Sequence, residues 1–225
     1  MTDTSNSTRS LLLKLPGFLF FSMAMYFTVL MALITFPYLS LRHDVDFLLT
    51  KQTVLHVDAW LYSFYVHITS SLFVLLSGTL QLVKGIRFHY PAIHRSLGKL
   101  YVFLVLFLSA PSGLIMGYYA NGGFWSQLSF ILIALFWWST TFMAYLRIRK
   151  GDVESHRYWM YRSYALTLSA ITLRIYVFVL PMVSDLHGRE MYTLVAWLSW
   201  IPNLLLAEVL IRWNLRQLRT GASVQ

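Results

Sequence analysis

The chain has 225 residues, of which 57% are hydrophobic and only 12% are charged, with a formal net charge of +9 and no cysteine. Soluble domains carry roughly 25% charged residues, so this composition indicates a protein solvated by lipid. The lack of cysteine excludes disulfides, thiolate catalysis and iron–sulfur clusters. The basic residues lie in short blocks between apolar runs, which favours membrane topology over nucleic-acid binding as their explanation.

Six long apolar segments follow one another along the chain. A helix needs about 20 apolar residues to cross the hydrocarbon layer, so the length allows about six spans and no separate soluble domain. We therefore predict an all-α, polytopic transmembrane helix bundle that forms one domain over residues 17–213, with tails at 1–16 and 214–225. The predicted spans are Gly17–Leu39, Trp60–Val83, Leu97–Ala120, Phe124–Leu146, Tyr158–Val183 and Met191–Trp213.

Lysine and arginine alternate between the two sides of these spans. By the positive-inside rule, this bias predicts that both termini are cytoplasmic. The residues on the predicted cytoplasmic side are Arg9, Lys14, Lys84, Arg87, Arg95, Lys99, Arg147, Arg149, Lys150, Arg157, Arg212, Arg216 and Arg219, against Arg42, Lys51 and Arg189 on the other side.

The third span has small residues four apart, at Ser109, Gly113, Gly117 and Asn121. This spacing lets two helix backbones approach closely, so we expect these residues to pack against a neighbouring helix.

The fifth span aligns His156, Ser163, Thr167 and Arg174 along one face. A charge inside the hydrocarbon costs several kcal/mol unless it is paired or hydrated. Arg174 therefore either extends toward the outer surface, binds an anion or lines a polar cavity.

Glu208 on the sixth span lies one turn before Arg212, so a local ion pair of these two residues is one expectation. A cross-helix pair of Glu208 with Arg162, at similar depth, is the other.

Two histidines are expected at matching depth near the cytoplasmic side. Pro91 suits the first turn of a helix and Asp152 suits a helix N-cap, which places His94 and His156 about one turn into two helices. Imidazoles on facing helices can ligate haem iron. Neighbouring cations could neutralise the haem propionates or, alternatively, meet lipid phosphates; they are Arg95, Lys99, Arg157 and Arg162.

His67 is expected roughly 25 Å from the cytoplasmic end of its span, at a height similar to that of Arg174. If the two faces converge, His67 and Arg174 form an outer polar site able to hold a quinone oxygen, a propionate or another anion. The alternative is a buried, hydrogen-bonded histidine.

Two blocks carry a family resemblance. They are His94-Arg95-Ser96-Leu97-Gly98-Lys99-Leu100-Tyr101 and His156-Arg157-Tyr158-Trp159-Met160-Tyr161-Arg162-Ser163-Tyr164-Ala165. They resemble the HRxxGxxY and HRxWMxR signatures of an uncharacterised bacterial membrane-protein family, domain of unknown function 2306. The Phe64–Ile68 segment and the Leu173–Arg174 pair are also similar to it.

The resemblance covers roughly Trp60 to Arg212. It implies a multi-helix fold in a bacterial cytoplasmic (inner) membrane and adds Tyr101 to the candidate cofactor-binding residues, but it brings no established activity. A looser similarity, to diheme b-type cytochromes, rests on histidines of neighbouring helices. Those proteins pair histidines at each haem, whereas the outer half of this chain offers only His67.

The leading hypothesis is a membrane redox protein that holds one haem b between His94 and His156 and passes electrons toward a quinone-like partner near His67 and Arg174. One alternative is a small-solute transporter or channel that uses the His67–Arg174 region. Another is a non-catalytic scaffold or assembly subunit. The sequence has no phosphate-binding loop, HExxH motif or G-x-S-x-G elbow, so enzyme activity stays open. We expect no broken, repeat-related helices, which disfavours a secondary transporter, although Pro111 and Pro181 could each kink a span.

Overall fold

A computed structural model describes the backbone of residues 3–221 and the side chains of residues 17–83 and 85–217. The described backbone is almost entirely helical. The predicted tails overlap α1 and the end of α10. The described part does not include residues 1–2 and 222–225, nor the side chains of Arg9, Lys14 and Arg219. The helices are α1 (Asp3–Thr35), α2 (Asp58–Gln81), α3 (Lys84–His89), α4 (Pro91–Leu104), α5 (Ala110–Tyr118), α6 (Phe124–Arg149), α7 (Val153–Thr167), α8 (Ser169–Val183), α9 (Gly188–Leu198) and α10 (Ile201–Gly221).

Within the described residues, six helical stretches are long and apolar enough to cross a membrane. They agree with the predicted spans to within a few residues at most ends, so the prediction of an all-α membrane helix bundle is confirmed. The stretches are Gly17–Ser40, Asp58–Gln81, Pro91–Tyr118, Phe124–Arg149, Val153–Val183 and Gly188–Gln217. The cytoplasmic location of the termini stays a prediction.

The two ends of the bundle differ in charge. At one end, which we call the basic end, α4 and α7 begin and α6 finishes with Arg147 and Arg149 in its last turn. The opposite end carries the segment between α1 and α2, which includes Asp44, Asp46 and Asp58.

Three of the six spans change helical pitch near mid-depth, although each continues across the layer as one helical stretch. A π-helical segment, Val105–Ser109, lies between α4 and α5. Pro111 follows it and has no N–H to give to the carbonyl of Phe107, which explains the change of helical pitch. Short turns also lie at Leu168 and at Ser199–Trp200. Pro181, in contrast, lies inside α8, which continues to Val183.

Small residues allow close helix contacts on the third span, as predicted. A Cβ added to Gly117 would lie 3.1 Å from the backbone of Phe130 on α6. A Cβ added to Gly113 would lie 2.9 Å from the imidazole of His67 on α2. These two glycines therefore let α5 pack directly against both neighbouring spans.

A buried lysine fixes the segment between α1 and α2 at the end of the bundle opposite the basic end. Lys51 is only 2% exposed, and its Nζ donates to the carbonyl oxygen of Tyr119 at 2.7 Å and to Oδ1 of Asn121 at 2.8 Å. The ammonium group also lies 5.9 Å from the Trp60 ring centroid. Burial lowers the pKa of Lys51 to about 8, because removing the ammonium group from water disfavours its charged form.

Candidate functional site

The two predicted ligand histidines lie at the basic end, each about one turn into its helix. Pro91 starts α4, and Asp152 caps α7 by accepting a hydrogen bond from the N–H of Ser155 at 3.0 Å. This bond holds the pKa of the Asp152 carboxyl below its usual value. The side chains of His94 and His156 lie within electrostatic range of each other.

The helix faces that carry these histidines converge. Tyr101 follows His94 by seven residues and Ser163 follows His156 by seven, which is two helical turns in each case. The Tyr101 hydroxyl lies 2.8 Å from Oγ of Ser163, so the two faces meet in the interior. His94 and His156 lie on these same faces, two turns nearer the basic end.

Each of the two imidazoles has a ring nitrogen that makes no hydrogen bond to a described residue and is available for a ligand. Nδ1 of His156 lies 2.8 Å from the carbonyl oxygen of Ala144. A carbonyl can only accept, so Nδ1 carries the hydrogen and Nε2 keeps its lone pair. Nδ1 of His94 is buried and has no hydrogen-bond partner among the described residues.

The predicted propionate-binding cations have different environments. Arg95 and Lys99 are exposed. Arg157 donates from Nη2 to the Tyr158 hydroxyl at 3.2 Å, while its Nε is buried without a partner among the described side chains.

Arg162 is already neutralised by an acid. Its Nε donates to Oε1 of Glu208 at 2.5 Å, and its Nη2 donates to Oε2 at 3.0 Å. The expectation of a local Glu208–Arg212 pair is therefore wrong, and the cross-helix alternative is correct. Both carboxylate oxygens bond to the Arg162 guanidinium, which also stacks over the ring of Trp159 at 4.7 Å.

A buried hydroxyl network occupies the interior above the two histidines. Tyr101 joins Ser163 and Thr167, and Oγ of Ser163 lies 2.7 Å from Oγ1 of Thr141. Nε1 of Trp137 donates to Oγ1 of Thr167 at 3.0 Å. The polar stripes predicted Ser163 and Thr167, whereas the Trp137 and Thr141 contacts come from α6 and have no comparable signal in the sequence.

His67 is held against the third span. Its Nδ1 lies 2.8 Å from the carbonyl oxygen of Ser109, the last residue of the π-helical segment, and its ring contacts Gly113. The hydrogen bond matches the alternative that the sequence offered, although the side chain of His67 is only partly buried. Nε2 again keeps its lone pair, because the carbonyl requires the hydrogen on Nδ1.

Arg174 lies on α8, and its charge acts on the imidazole of His67 without a hydrogen bond between the two side chains. It is partly buried and makes no hydrogen bond or ion pair with a described side chain. The hydroxyl of Tyr38, at the end of the first span, is also within its electrostatic range.

The described side chains contain no group of three or more histidines, aspartates or glutamates close enough to hold a metal ion together. A metal centre at the basic end would therefore use the two imidazoles His94 and His156 and take its remaining ligands from elsewhere, as the iron of a haem does from its porphyrin.

The helices and their internal polar groups define a polytopic α-helical membrane protein. A family model described as "Predicted membrane protein (DUF2306)" matches residues 64–211, and the chain belongs to this family. The resemblance of the two histidine blocks is thereby confirmed. No curated protein and no solved structure matches the chain, and the similarity to diheme cytochromes has no support from these comparisons.

Proposed function

We propose that the protein is a membrane electron carrier that holds one b-type haem between His94 and His156. The observation that carries the proposal is the convergence of the two histidine-bearing helix faces, marked by the contact of Tyr101 with Ser163. Bound haem would supply reversible one-electron chemistry at its iron.

The protein's own groups suit this role. The carbonyl of Ala144 orients the ring of His156 and fixes its neutral tautomer, which is the usual arrangement around ligating histidines. Nδ1 of His94 lacks a partner in the interior, and a buried polar atom without one costs about 1–3 kcal/mol. Arg157 and the exposed Arg95 provide positive charge for two propionates, whereas Arg162 is committed to Glu208.

An absorption spectrum tests the proposal directly. Protein purified from haem-sufficient cells should show a Soret band and sharp visible bands on reduction, with one haem per chain by pyridine haemochrome assay. His94→Ala and His156→Ala should each abolish the bands. His89→Ala, a change at an exposed histidine of the same end, should leave them unchanged. A colourless, folded wild-type protein would exclude haem binding.

A second candidate, a transporter or channel for a small anionic or aromatic solute, is favoured by Arg174, a partly buried cation inside the fifth span. A charged residue within a span that has no counter-ion among the described side chains commonly marks the path or the binding site of a solute. In proteoliposomes this candidate predicts a solute flux that is lost in Arg174→Gln and kept in Arg149→Gln. Equal fluxes through both variants would contradict a role for the outer polar site in transport.

A further inference from the structure

Arg174 is a cation with no counter-ion among the described side chains, and it lies deep inside the fifth span. It lies nine residues before the end of α8 at Val183, and His67 lies nine residues after the start of α2 at Asp58. At 1.5 Å per residue, each of the two residues lies about 14 Å along its helix from the end of the bundle opposite the basic end. They therefore share one depth, close to the middle of a hydrocarbon layer about 30 Å thick.

The neighbours of Arg174 do not neutralise it. The ion pairs among the described side chains join other residues and do not include Arg174. The Tyr38 hydroxyl, which acts electrostatically on Arg174, already accepts a hydrogen bond from the N–H of Phe47 at 3.1 Å. An unpaired charge is unfavourable at this depth, so an anion brought by a ligand would stabilise the site.

The helix that carries Arg174 borders the lipid. The main backbone contacts of α8 are with α9. Apolar side chains of α8 near Arg174 are exposed, among them Phe178, one turn further along the helix and 66% exposed. A ligand with an apolar tail that approached along this surface would contact apolar side chains beside Arg174.

We propose that Arg174 and His67 form a binding site for the head of an amphiphilic monoanion that enters laterally from the bilayer. The planar guanidinium matches the paired oxygens of a carboxylate or a phosphate. A lipid phosphate monoester also carries a hydroxyl hydrogen that Nε2 of His67 can accept, whereas a fatty-acid carboxylate uses Arg174 alone. The exposed apolar side chains of α8 would contact the tail in both cases.

Equilibrium binding to the purified full-length protein in maltoside micelles tests the site, with tritiated oleate and tritiated lysophosphatidate as probes. Arg174→Gln should weaken both ligands at least about tenfold, because charge-assisted hydrogen bonds are lost. His67→Gln should weaken lysophosphatidate much more than oleate. Arg149→Gln, at an exposed position of the basic end, is the matched control and should bind both ligands normally.

Two further measurements keep the proposal falsifiable if a variant folds poorly. Oleyl alcohol, which has the same tail and no charge, should not displace oleate from the wild-type protein. Gly113→Ala should push the His67 ring aside and weaken lysophosphatidate selectively, because its Cβ would lie 2.9 Å from that ring. Unchanged affinities in Arg174→Gln, or equal displacement by the alcohol, would overturn the proposal. Neither result would affect haem binding at His94 and His156, which the absorption spectrum tests separately.

Discussion

Arg162 on α7 and Glu208 on α10 form a two-point ion pair between the fifth and sixth spans. The side chains are 22% and 32% exposed, so both charges are largely withdrawn from solvent. Two parallel hydrogen bonds fix their relative orientation. The pair therefore connects α7 with α10, the parts of the fifth and sixth spans that lie nearer the basic end. The remaining parts of these spans, α8 and α9, pack against each other separately.

Replacing Glu208 by Gln should destabilise the protein by about 2 kcal/mol, because it leaves the Arg162 guanidinium partly buried without its counter-ion. Thermal unfolding in detergent measures the effect. The charge-swapped double variant Arg162→Glu with Glu208→Arg should recover part of the loss. Arg212→Gln should change the unfolding temperature little, and a loss as large as that of Glu208→Gln would contradict the observed pairing.

Gly78 should tolerate no side chain. A Cβ at this position of α2 would lie 2.7 Å from the ring of Tyr164, and that ring is anchored by its hydroxyl, 2.8 Å from Oγ1 of Thr79. Gly78→Ala should therefore destabilise the protein by about 2 kcal/mol through overpacking. In Gly85→Ala the nearest atom is 3.9 Å away, so this control should be neutral or stabilising. Equal unfolding temperatures for both variants would show that the α2–α7 contact is looser than described.

Lys51 should make stability depend on pH in the alkaline range. Its pKa is about 8 in the folded protein, below the ordinary value of 10.5, so the folded state releases this proton first. Between about pH 8 and 10.5 the unfolded state binds more protons, and the stability contributed by Lys51 rises with pH. Unfolding temperatures of the wild type and Lys51→Met, measured from pH 7 to 10, should diverge in favour of the wild type.

The control for Lys51 is Lys99→Met, which changes an exposed lysine at the other end of the bundle. The difference in unfolding temperature between Lys99→Met and the wild type should stay nearly constant over the same pH range. A constant difference for Lys51→Met as well would mean that its ammonium group is hydrated and not buried.

Tyr101→Phe should cost about 1–2 kcal/mol, because it removes a hydroxyl that lies within hydrogen-bond distance of both Ser163 and Thr167. In a haem-loaded protein the same change should shift the visible bands only slightly, since the network lies two turns from the histidines. Phe103→Leu, at a lipid-exposed position of α4, is the control for stability. A loss of haem from Tyr101→Phe would place the cofactor deeper than proposed.

Apolar run length and basic clusters were enough to predict the six spans. Crossing hydrocarbon imposes a nearly fixed length on each helix, and this constraint is visible in composition. The helix starts marked by Pro91 and Asp152 were also predictable, because helix capping depends on local chemistry. These two starts placed His94 and His156 at the same depth. The meeting of the Tyr101 and Ser163 faces, however, depends on how separate helices rotate.

Proline marks two of the three changes of pitch: Pro111 follows the π-helical segment and Pro202 follows Ser199–Trp200, and neither can donate an N–H to the carbonyl four residues earlier. The turn at Leu168 has no such marker in the residues that follow it. The choice of Arg162 over Arg212 as the partner of Glu208 depends on the distance between α7 and α10. Arg212 lies one helical turn from Glu208 on the same span, and Arg162 lies at a similar depth on the fifth span, so the sequence cannot decide which arginine pairs with Glu208.

Side chains of one span bind main-chain carbonyls of another inside the membrane. His67 donates to the carbonyl oxygen of Ser109, Trp138 to that of Leu106 and Thr172 to that of Ser199, which ties the second span to the third, the fourth to the third, and the fifth to the sixth. Water cannot take over such a bond in hydrocarbon, so Trp138→Phe would leave the carbonyl of Leu106 without this donor at a depth where nothing from the solvent replaces it.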